Sequence, residues 1–433
     1  MKSVGIVAEF NPFHNGHRYL IEEAKKQTGA DCCVVIMSGD FVQRGAPAIC
    51  NKYLRTEMAL KGGADIVFEL PAVYALGSAE MFAEGAVGLL SVTGQMDYLC
   101  FGSECGDTEA LLKCANIVEE YTSTPDFKEK LAVHIKSGES YPSAFSNSLS
   151  EALGGLKSLL CTPNNLLGIE YIRALMRLKK TLPGSMTQSN SINNIRFPES
   201  MAIKRIGSDH FDMGISEYSS ATAIRDNLLN MYDPNSVHVE IEKDNTGIAD
   251  SFLPGGSYKI ISEKINRLLP ITEDDFSNAL FMRLNTMTDD EFFAIPDINP
   301  DLIHKLISFK GRQINVTDLI ISLKSKCFTY TAISRALFRI LLCPAYTEAI
   351  RSIASDSYKP YLRLLGFNRH CSEFLRNLRN SEQVDLITKP ADGPLSDPVY
   401  NLDIYAANLY EQICSAKFKS DFTEELKAGP VML

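Results

Sequence analysis

Two histidines near the start of the chain lie where a strand pattern gives way to a helix pattern. His14 and His17 are separated by Asn15 and Gly16, and they follow the apolar run of residues 4–8. The first turn of a helix offers unpaired backbone N–H groups and a partial positive charge, which favour a bound phosphate. Imidazoles donate hydrogen bonds to phosphate oxygens, and a protonated imidazole can stabilise negative charge during a reaction. The arrangement predicts a phosphate site with two catalytic histidines.

The spacing of the two histidines leaves other interpretations open. Two ordinary loop histidines or a metal-binding pair would give the same pattern. A zinc site needs further Cys or His at ligand spacing, and none lies nearby in the sequence, so no metal site is predicted. Gly16 removes a side chain where a ligand can approach the backbone. The position between strand and helix favours phosphate chemistry.

Composition limits the class of protein. The 433 residues are 45% hydrophobic and 22% charged, as in soluble globular proteins, and the length predicts two or three domains. No apolar run is long enough to span a bilayer, and the N-terminus does not resemble a signal peptide. The eleven cysteines include no Cys-x-x-Cys pair. They are interpreted as reduced thiols of a cytoplasmic protein, not as a disulfide framework or zinc ribbon.

Charge is unevenly distributed along the chain. The net charge of −10 argues against non-specific nucleic-acid binding, and no DNA partner is expected. Residues 301–390 nevertheless hold 14 Lys and Arg against 7 Asp and Glu. This segment is either an RNA-contacting surface or a solvated helical face, and charge alone favours the solvated face. The same two interpretations apply to Arg335 and Arg339, four apart on one predicted helix.

Short apolar runs alternate with helical periods in the first half of the chain. Strands are predicted at 4–8, 32–37, 66–70, 98–101 and 201–206, which indicates an α/β fold with a Rossmann-like parallel sheet. Ligands bind such sheets at the carboxyl ends of the strands, where His14 and His17 lie. Residues 244–270 are interpreted as a link. Helical patterns follow from residue 274, including 361–367, and predict a mostly helical C-terminal domain.

Further polar residues follow the later strands and open later helices. Arg44, Lys52 and Arg55 follow the second strand, where cations can meet phosphates. Asn164 lies in the first turn of a predicted helix. Ser219 or Ser220 begins another predicted helix, and capping alone would explain these hydroxyls. The Ser- and Asn-rich residues 184–198 predict an exposed loop.

The order of several motifs resembles one family. Residues 8–17 (AEFNPFHNGH), 38–45 (SGDFVQRG) and 63–71 (GADIVFELP) are similar to the bacterial tRNA(Met) cytidine acetate ligase family of the nucleotidylyltransferase superfamily, which carries a His-x-Gly-His motif. Residues 101–104, 163–165, 220–225 and 330–331 agree with it. The matches cover the first half of the chain best. The resemblance implies a nucleotidylyltransferase-like ATP-binding catalytic domain at 1–240 and a helical, tRNA-binding domain at 241–433.

The same resemblance assigns residues to the site. It implies that His14 and His17 are catalytic, and that Ser220, Thr222 and Arg225 bind phosphate as the superfamily's second phosphate motif. It leaves open whether Asn165 replaces Asn164 and whether Lys204 replaces Arg205. The implied ATP-binding residues are Val7, Ala8, Glu9, Phe10, Asn11, Pro12, Phe13, His14, Asn15, Gly16, His17, Arg18, Tyr19, Leu20, Gly102, Asn164 and Arg205.

The resemblance also implies a reaction. Members use ATP and acetate to acetylate N4 of the wobble cytidine of elongator tRNA(Met) through acetyl-adenylate. Mg²⁺ is expected on the phosphates. A small-molecule adenylyltransferase of the same superfamily is the alternative enzyme, and an ATP-binding RNA scaffold is the non-enzymatic one. Only the tRNA enzyme would use the helical half to hold its substrate.

Overall fold

The computed structural model describes residues 1–181, 197–206, 220–232, 253–381 and 384–433. The predicted loop at 184–198 lies almost wholly outside these residues. The strands are β1 Ser3–Ala8, β2 Cys32–Ser38, β3 Phe41–Val42, β4 Ala46–Pro47, β5 Ile66–Leu70, β6 Tyr98–Ser103, β7 Glu199–Lys204, β8 Tyr361–Phe367, β9 Asp385–Ile387 and β10 Val431–Met432. The helices of the first half are α1 Asn15–Thr28, α2 Lys52–Lys61, α3 Ala72–Ala75, α4 Ala79–Val92, α5 Thr108–Tyr121, α6 Pro125–Lys136, α7 Tyr141–Ser148, α8 Ser150–Leu153, α9 Pro163–Thr181 and α10 Ala221–Met231. Those of the second half are α11 Gly255–Lys264, α12 Ser277–Thr286, α13 Asp289–Phe293, α14 Pro300–Ile307, α15 Val316–Leu323, α16 Tyr330–Leu341, α17 Ala345–Ile353, α18 Ser372–Asn380 and α19 Pro398–Phe418.

One sheet runs through the molecule in the order β10-β8-β5-β2-β1-β6-β7, with β9 beside β8. The strands from β5 to β7 along this order are mutually parallel. Their residues are apolar and mostly buried, as expected for strands covered on both faces. Each predicted strand of the first half is present, so the α/β class with a Rossmann-like parallel sheet is confirmed.

The prediction of a helix at residues 361–367 is wrong. Tyr361–Phe367 is strand β8, which pairs antiparallel with β5 and parallel with β9 and β10. A short, largely apolar run fits a buried strand or a buried piece of helix equally well, and the strand β5 that it pairs with is distant in sequence. The predicted link at 244–270 is also wrong in part, because Gly255–Lys264 is helical. The division into domains at residue 240 stays a prediction, although the sheet draws strands from both sides of it.

A buried ion cluster joins the two halves of the chain. Lys52 Nζ lies 2.7 Å from Glu69 Oε1 and 2.8 Å from Glu425 Oε1. Arg363 of β8 pairs with the same two carboxylates, at 3.1 Å from Glu69 Oε2. All four side chains are at most 8% exposed. A buried charge without a partner costs free energy, so Glu425 is needed to stabilise the buried Lys52.

Asp403 supplies a pH-dependent contribution to stability. Its carboxylate accepts hydrogen bonds from the Ala72 N–H at 2.7 Å and from the Tyr361 hydroxyl. Burial, followed by the charge of Glu69, raises the pKa of Asp403 to about 7. The folded chain therefore binds this proton more tightly than the unfolded chain, and the stabilisation falls as pH rises from about 4 to 7.

The free energy of unfolding of Asp403→Asn, relative to that of the parent, is expected to rise as the pH goes from about 4 to 7. The reason is that the amide oxygen still accepts the Ala72 N–H but carries no charge. Urea unfolding at pH 4.5, 6 and 8 measures this difference. The exposed Asp421→Asn is the matched control. A difference between Asp403→Asn and the parent that stays constant from pH 4.5 to 8 would contradict the assignment.

Candidate active site

The histidine motif forms the entry to α1. His14 is the N-cap of the helix, and its Nδ1 accepts the Gly16 N–H at 3.0 Å. His17 Nδ1 in turn accepts the His14 N–H at 3.3 Å, which completes a reciprocal capping box. Since both Nδ1 atoms act as acceptors, the proton of each neutral ring is on Nε2. Both imidazoles therefore keep an N–H donor for a ligand.

The two rings are stacked and neutral. Their centroids are 3.7 Å apart, and His14 is 3% exposed. Burial, followed by the charges of Arg205 and Arg225, lowers the pKa of His14 to about 3. Burial, followed by His14 and Arg205, holds the pKa of His17 well below 6.5. A protonated imidazole in the nucleotide-free site, which the sequence suggested as one option, is therefore excluded near pH 7.

This low pKa predicts the titration of His14 in the nucleotide-free protein. The imidazole is expected to stay neutral from pH 8 down to pH 5, because a proton would have to enter a buried site beside two guanidinium groups. The protonation of His14 is measured by NMR of histidine-labelled protein. Its signal is identified as the one that is missing in His14→Gln. A midpoint near 6.5 would contradict the described packing.

Two phenylalanines fix the loop that carries the motif. Phe10 and Phe13 are fully buried, with ring centroids 4.9 Å apart, and Phe10 also packs edge-on against His17. Both belong to the core below the loop and not to the lining of the cleft. Arg18 is also outside the lining, and its exposed side chain pairs with Glu22 at 2.7 Å.

A narrow cleft opens beside the capped turn of α1. Two of its lining residues, Ile203 and Ile206, were not among the predicted ATP-binding residues, and Lys204 was predicted only as the alternative to Arg205. The only signal for the two isoleucines was their place at the end of a predicted strand. The lining residues are His14, Gly16, His17, Tyr19, Leu20, Gly102, Ile203, Lys204, Arg205 and Ile206.

Arg205 reaches into this cleft from the end of β7. Its Nη1 lies 3.5 Å from Asn164 Oδ1, and its buried Nε has no hydrogen-bond partner among the described residues. A Cβ added to Gly102 would lie 3.4 Å from Arg205 Cγ, so this glycine makes room for the arginine and for a ligand beside it. Burial lowers the pKa of Arg205. The structure thus brings Gly102, Asn164 and Arg205 together.

The adjacent alternatives, Asn165 and Lys204, have other surroundings. Asn165 is 3% exposed, and its Oδ1 accepts from the Ser103 hydroxyl at 2.6 Å and from the Glu104 N–H at 3.0 Å. Glu104 in turn binds the start of α9, through Asn164 Nδ2 at 2.6 Å and the Asn165 N–H at 2.8 Å. Lys204 is exposed and lies over Gly106. The buried contacts of Asn165 favour Asn164, which contacts Arg205, as the nucleotide-binding amide. Lys204 and Arg205 both line the cleft, and Arg205 is favoured because its buried Nε has no partner among the described residues.

The second phosphate motif, residues 220–225, contacts the loop that carries the histidine motif. Ser220 caps α10 by accepting the Ala223 N–H at 3.2 Å. Arg225, one turn later, donates from Nη1 to the Asn11 carbonyl at 2.9 Å and from Nη2 to Thr222 Oγ1 at 3.1 Å. Arg225 therefore lies against the histidine loop, although the two segments are 214 positions apart.

Two of the three cations predicted at the rim are structural. Lys52 belongs to the buried ion cluster. Arg55 is fully buried and donates to the carbonyls of Glu9 at 2.7 Å, Ser38 at 3.0 Å and Cys50 at 3.1 Å, which holds two loops together. Only Arg44 is exposed. The phosphate-contacting interpretation of Lys52 and Arg55 is wrong because both side chains are sealed in the interior.

Arg339 also departs from both sequence interpretations. It is 4% exposed, and its Nε donates to the Leu76 carbonyl at 3.0 Å. Burial and the charge of Arg339 lower the pKa of the half-buried Arg335 to about 10. Arg339 therefore joins α16 to the sheet domain, and it is neither a solvated charge nor available to RNA.

Known proteins resemble this chain along its length. A family model described as HIGH Nucleotidyl Transferase matches residues 1–425. The tRNA(Met) cytidine acetate ligase of Caldicellulosiruptor saccharolyticus is 34% identical over 425 residues, with 97% of this chain and 95% of the relative covered. The protein of the same name from Fervidobacterium nodosum is 35% identical, with 97% and 96% covered. A crystal structure of Thermotoga maritima TmcAL bound with alpha-thio ATP matches with a TM-score of 0.81 at 26% identity, with both chains fully covered.

The matches agree with the motif resemblance and with the observed sheet. Among the described residues, no helix is both long and apolar enough to cross a bilayer. The resemblance inferred from residues 8–17, 38–45 and 63–71 is confirmed. The chain belongs to the HIGH nucleotidyl transferase family and, within it, to the tRNA(Met) cytidine acetate ligases.

Proposed function

We propose that this chain is an ATP-dependent ligase that activates acetate as acetyl-adenylate and acetylates N4 of the wobble cytidine of elongator tRNA(Met). The observation that carries the proposal is that four hydrogen-bond donor side chains lie together around the capped N-terminus of α1. His14 and His17 keep their Nε2 protons for a ligand, and Arg205 and Arg225 lie close enough to lower the pKa of His14. Such a set of preorganised donors suits a polyphosphate.

The first step is the activation of acetate. A carboxylate oxygen of acetate attacks the α-phosphorus of ATP, the bond to the β-phosphate oxygen breaks, and pyrophosphate leaves with the electron pair. Negative charge grows on the phosphate oxygens during this exchange. Imidazole N–H groups, the positive end of the α1 dipole and the guanidinium groups stabilise that charge without reorganisation.

Mg²⁺ fits this site as an ion that arrives on the nucleotide. The carboxylates of the two loops are already engaged: Glu9 Oε1 accepts the Gln43 N–H at 2.7 Å, and Glu104 binds the start of α9. Oxygen ligands for the ion would therefore come from phosphates and water, as is usual for Mg²⁺. When bound, the ion neutralises phosphate charge.

The second step transfers the acetyl group. The cytidine amine attacks the carbonyl carbon of acetyl-adenylate, the bond to the phosphate oxygen breaks, AMP leaves, and the amine loses a proton. A wobble base is already unpaired in its loop, so it can enter a pocket without opening a duplex. Residues 241–433 are proposed to hold the tRNA, and the cytoplasm is the proposed location.

The alternative is a small-molecule adenylyltransferase with the same ATP site. The two are separated by incubating the protein with ATP, ¹³C-acetate and elongator tRNA(Met), followed by mass spectrometry of the nucleosides. Label in cytidine of the tRNA is the expected result. ATP turnover with label only in a free nucleotide conjugate would favour the alternative.

A matched control uses a tRNA(Met) transcript with uridine at the wobble position, which has no N4 amine. It is expected to bind and remain unlabelled. Label in this transcript would contradict transfer to the cytidine amine.

A further inference from the structure

Two buried cysteines meet at the amino end of β2, which is the opposite end of the strand from the nucleotide cleft. Cys32 opens β2 and Cys371 precedes α18, and their Sγ atoms are 3.2 Å apart. Asp65, just before β5, places a carboxylate oxygen within 4.8 Å of both sulfurs. All three side chains are buried. We propose that Cys32, Cys371 and Asp65 form a binding site for Zn²⁺, separate from the ATP site.

The donor atoms suit this metal. Two thiolates and a carboxylate are frequent Zn²⁺ ligands. With a Zn–S distance of about 2.3 Å, two thiolates on a tetrahedral ion lie roughly 3.7 Å apart. The observed 3.2 Å is nearer to this value than to the ~2.05 Å of a disulfide. No local sequence pattern predicts the site, because its ligands lie 33 and 306 positions apart.

The surroundings balance the charge of a bound ion. Lys25 Nζ lies 2.6 Å from Asp65 Oδ2, and the Cys33 N–H donates to the same oxygen at 2.7 Å. Binding would release the two thiol protons, so that Zn²⁺, two thiolates, one carboxylate and the Lys25 ammonium sum to zero. A buried site requires such compensation.

A fourth donor stands next to the cluster. His370 Nε2 lies 3.0 Å from Asp65 Oδ1, and its side chain is 61% exposed. His370 is not among the donors that lie within 4.8 Å of one another, so the fourth position of a tetrahedral ion goes to water or, after the exposed side chain turns, to this imidazole. Because β2 contains 7 residues, the site lies roughly 20 Å from the carboxyl ends of the strands. Its role is to fasten the segment after β8 to the sheet, not to take part in the reaction.

Cobalt substitution tests the proposal on the full-length protein. The protein is reduced, freed of metal with a chelator and titrated with Co²⁺. One equivalent is expected to give thiolate-to-cobalt absorption in the near ultraviolet and tetrahedral bands in the visible, which Zn²⁺ abolishes. Cys32→Ser and Cys371→Ser are each expected to lose the thiolate band, whereas Cys161→Ser, at an exposed cysteine, keeps it. A changed visible spectrum in His370→Ala identifies the fourth ligand.

Zn²⁺ is also expected to raise the melting temperature of the parent by several degrees and to leave that of Cys371→Ser unchanged. Binding of an ATP analogue verifies that the serine variants are folded. Reduced protein with no thiolate–cobalt band, or a band that survives in folded Cys371→Ser, would overturn the proposal. Isolation of a Cys32–Cys371 disulfide that fails to bind Co²⁺ after reduction would overturn it in favour of a redox pair.

Discussion

His17→Ala is expected to lower the rate of acetyl-adenylate formation by at least about 10²–10³-fold, the usual cost of removing one preorganised donor at a developing negative charge. The variant loses the Nε2 donor and also the acceptor for the His14 N–H, so the neighbouring ring loses part of its support. Acetate-dependent exchange of labelled pyrophosphate into ATP measures this step without tRNA.

The affinity for tRNA separates a catalytic from a folding role of His17. It is expected to stay within about twofold of the parent, because the stacked rings lie at the cleft that is proposed to bind ATP. Arg18→Ala, at the exposed neighbour on the same helix, serves as the matched control. Equal loss of exchange and of tRNA binding in His17→Ala would mean that the histidine mainly supports the fold.

Arg205→Ala is expected to weaken ATP binding on the order of 10²-fold, because charge-assisted hydrogen bonds to phosphate or ribose disappear from a buried site. Within the part of the chain that the structure describes, the buried Nε of this side chain has no hydrogen-bond partner, so it remains available to a ligand. Calorimetric titration with a non-hydrolysable ATP analogue measures the change.

The adjacent Lys204→Ala is the informative comparison. Lys204 is exposed at the end of β7, whereas Arg205 lies against Gly102 and Asn164. The lysine variant is expected to lose less than fivefold in affinity. A larger loss in Lys204→Ala than in Arg205→Ala would reverse the assignment of the two cations.

Local patterns were enough to predict the half of the site that is continuous in sequence. The strand, the capped helix and the two histidines lie within residues 3–28, so propensity and capping chemistry determine them together. The choice between Arg205 and Lys204 was beyond the sequence, because it depends on the neighbours of each side chain. The contact of Arg225 with Asn11 joins segments that only the fold brings together.

Two of the errors share one physical cause. Lys52 and Arg55 follow β2, where exposed cations were expected, yet their partners bury them. The partners of Lys52 include Glu425, which no local pattern connects to it. The pattern of residues 361–367 predicts a helix because it does not show that these residues pair with β5 in the first half of the chain. Long-range pairing therefore decided the cases of Lys52 and of residues 361–367, whereas Arg55 is buried by carbonyls nearer in sequence.

The ion cluster of Lys52, Glu69, Arg363 and Glu425 has a consequence for biosynthesis. While the nascent chain is still on the ribosome, Lys52 lacks its second acidic partner until residue 425 has left the exit tunnel. The catalytic sheet therefore cannot reach its final electrostatic state before residue 425 has been synthesised, however early its parallel strands assemble. In this sense the completion of the sheet waits for the segment that carries Glu425.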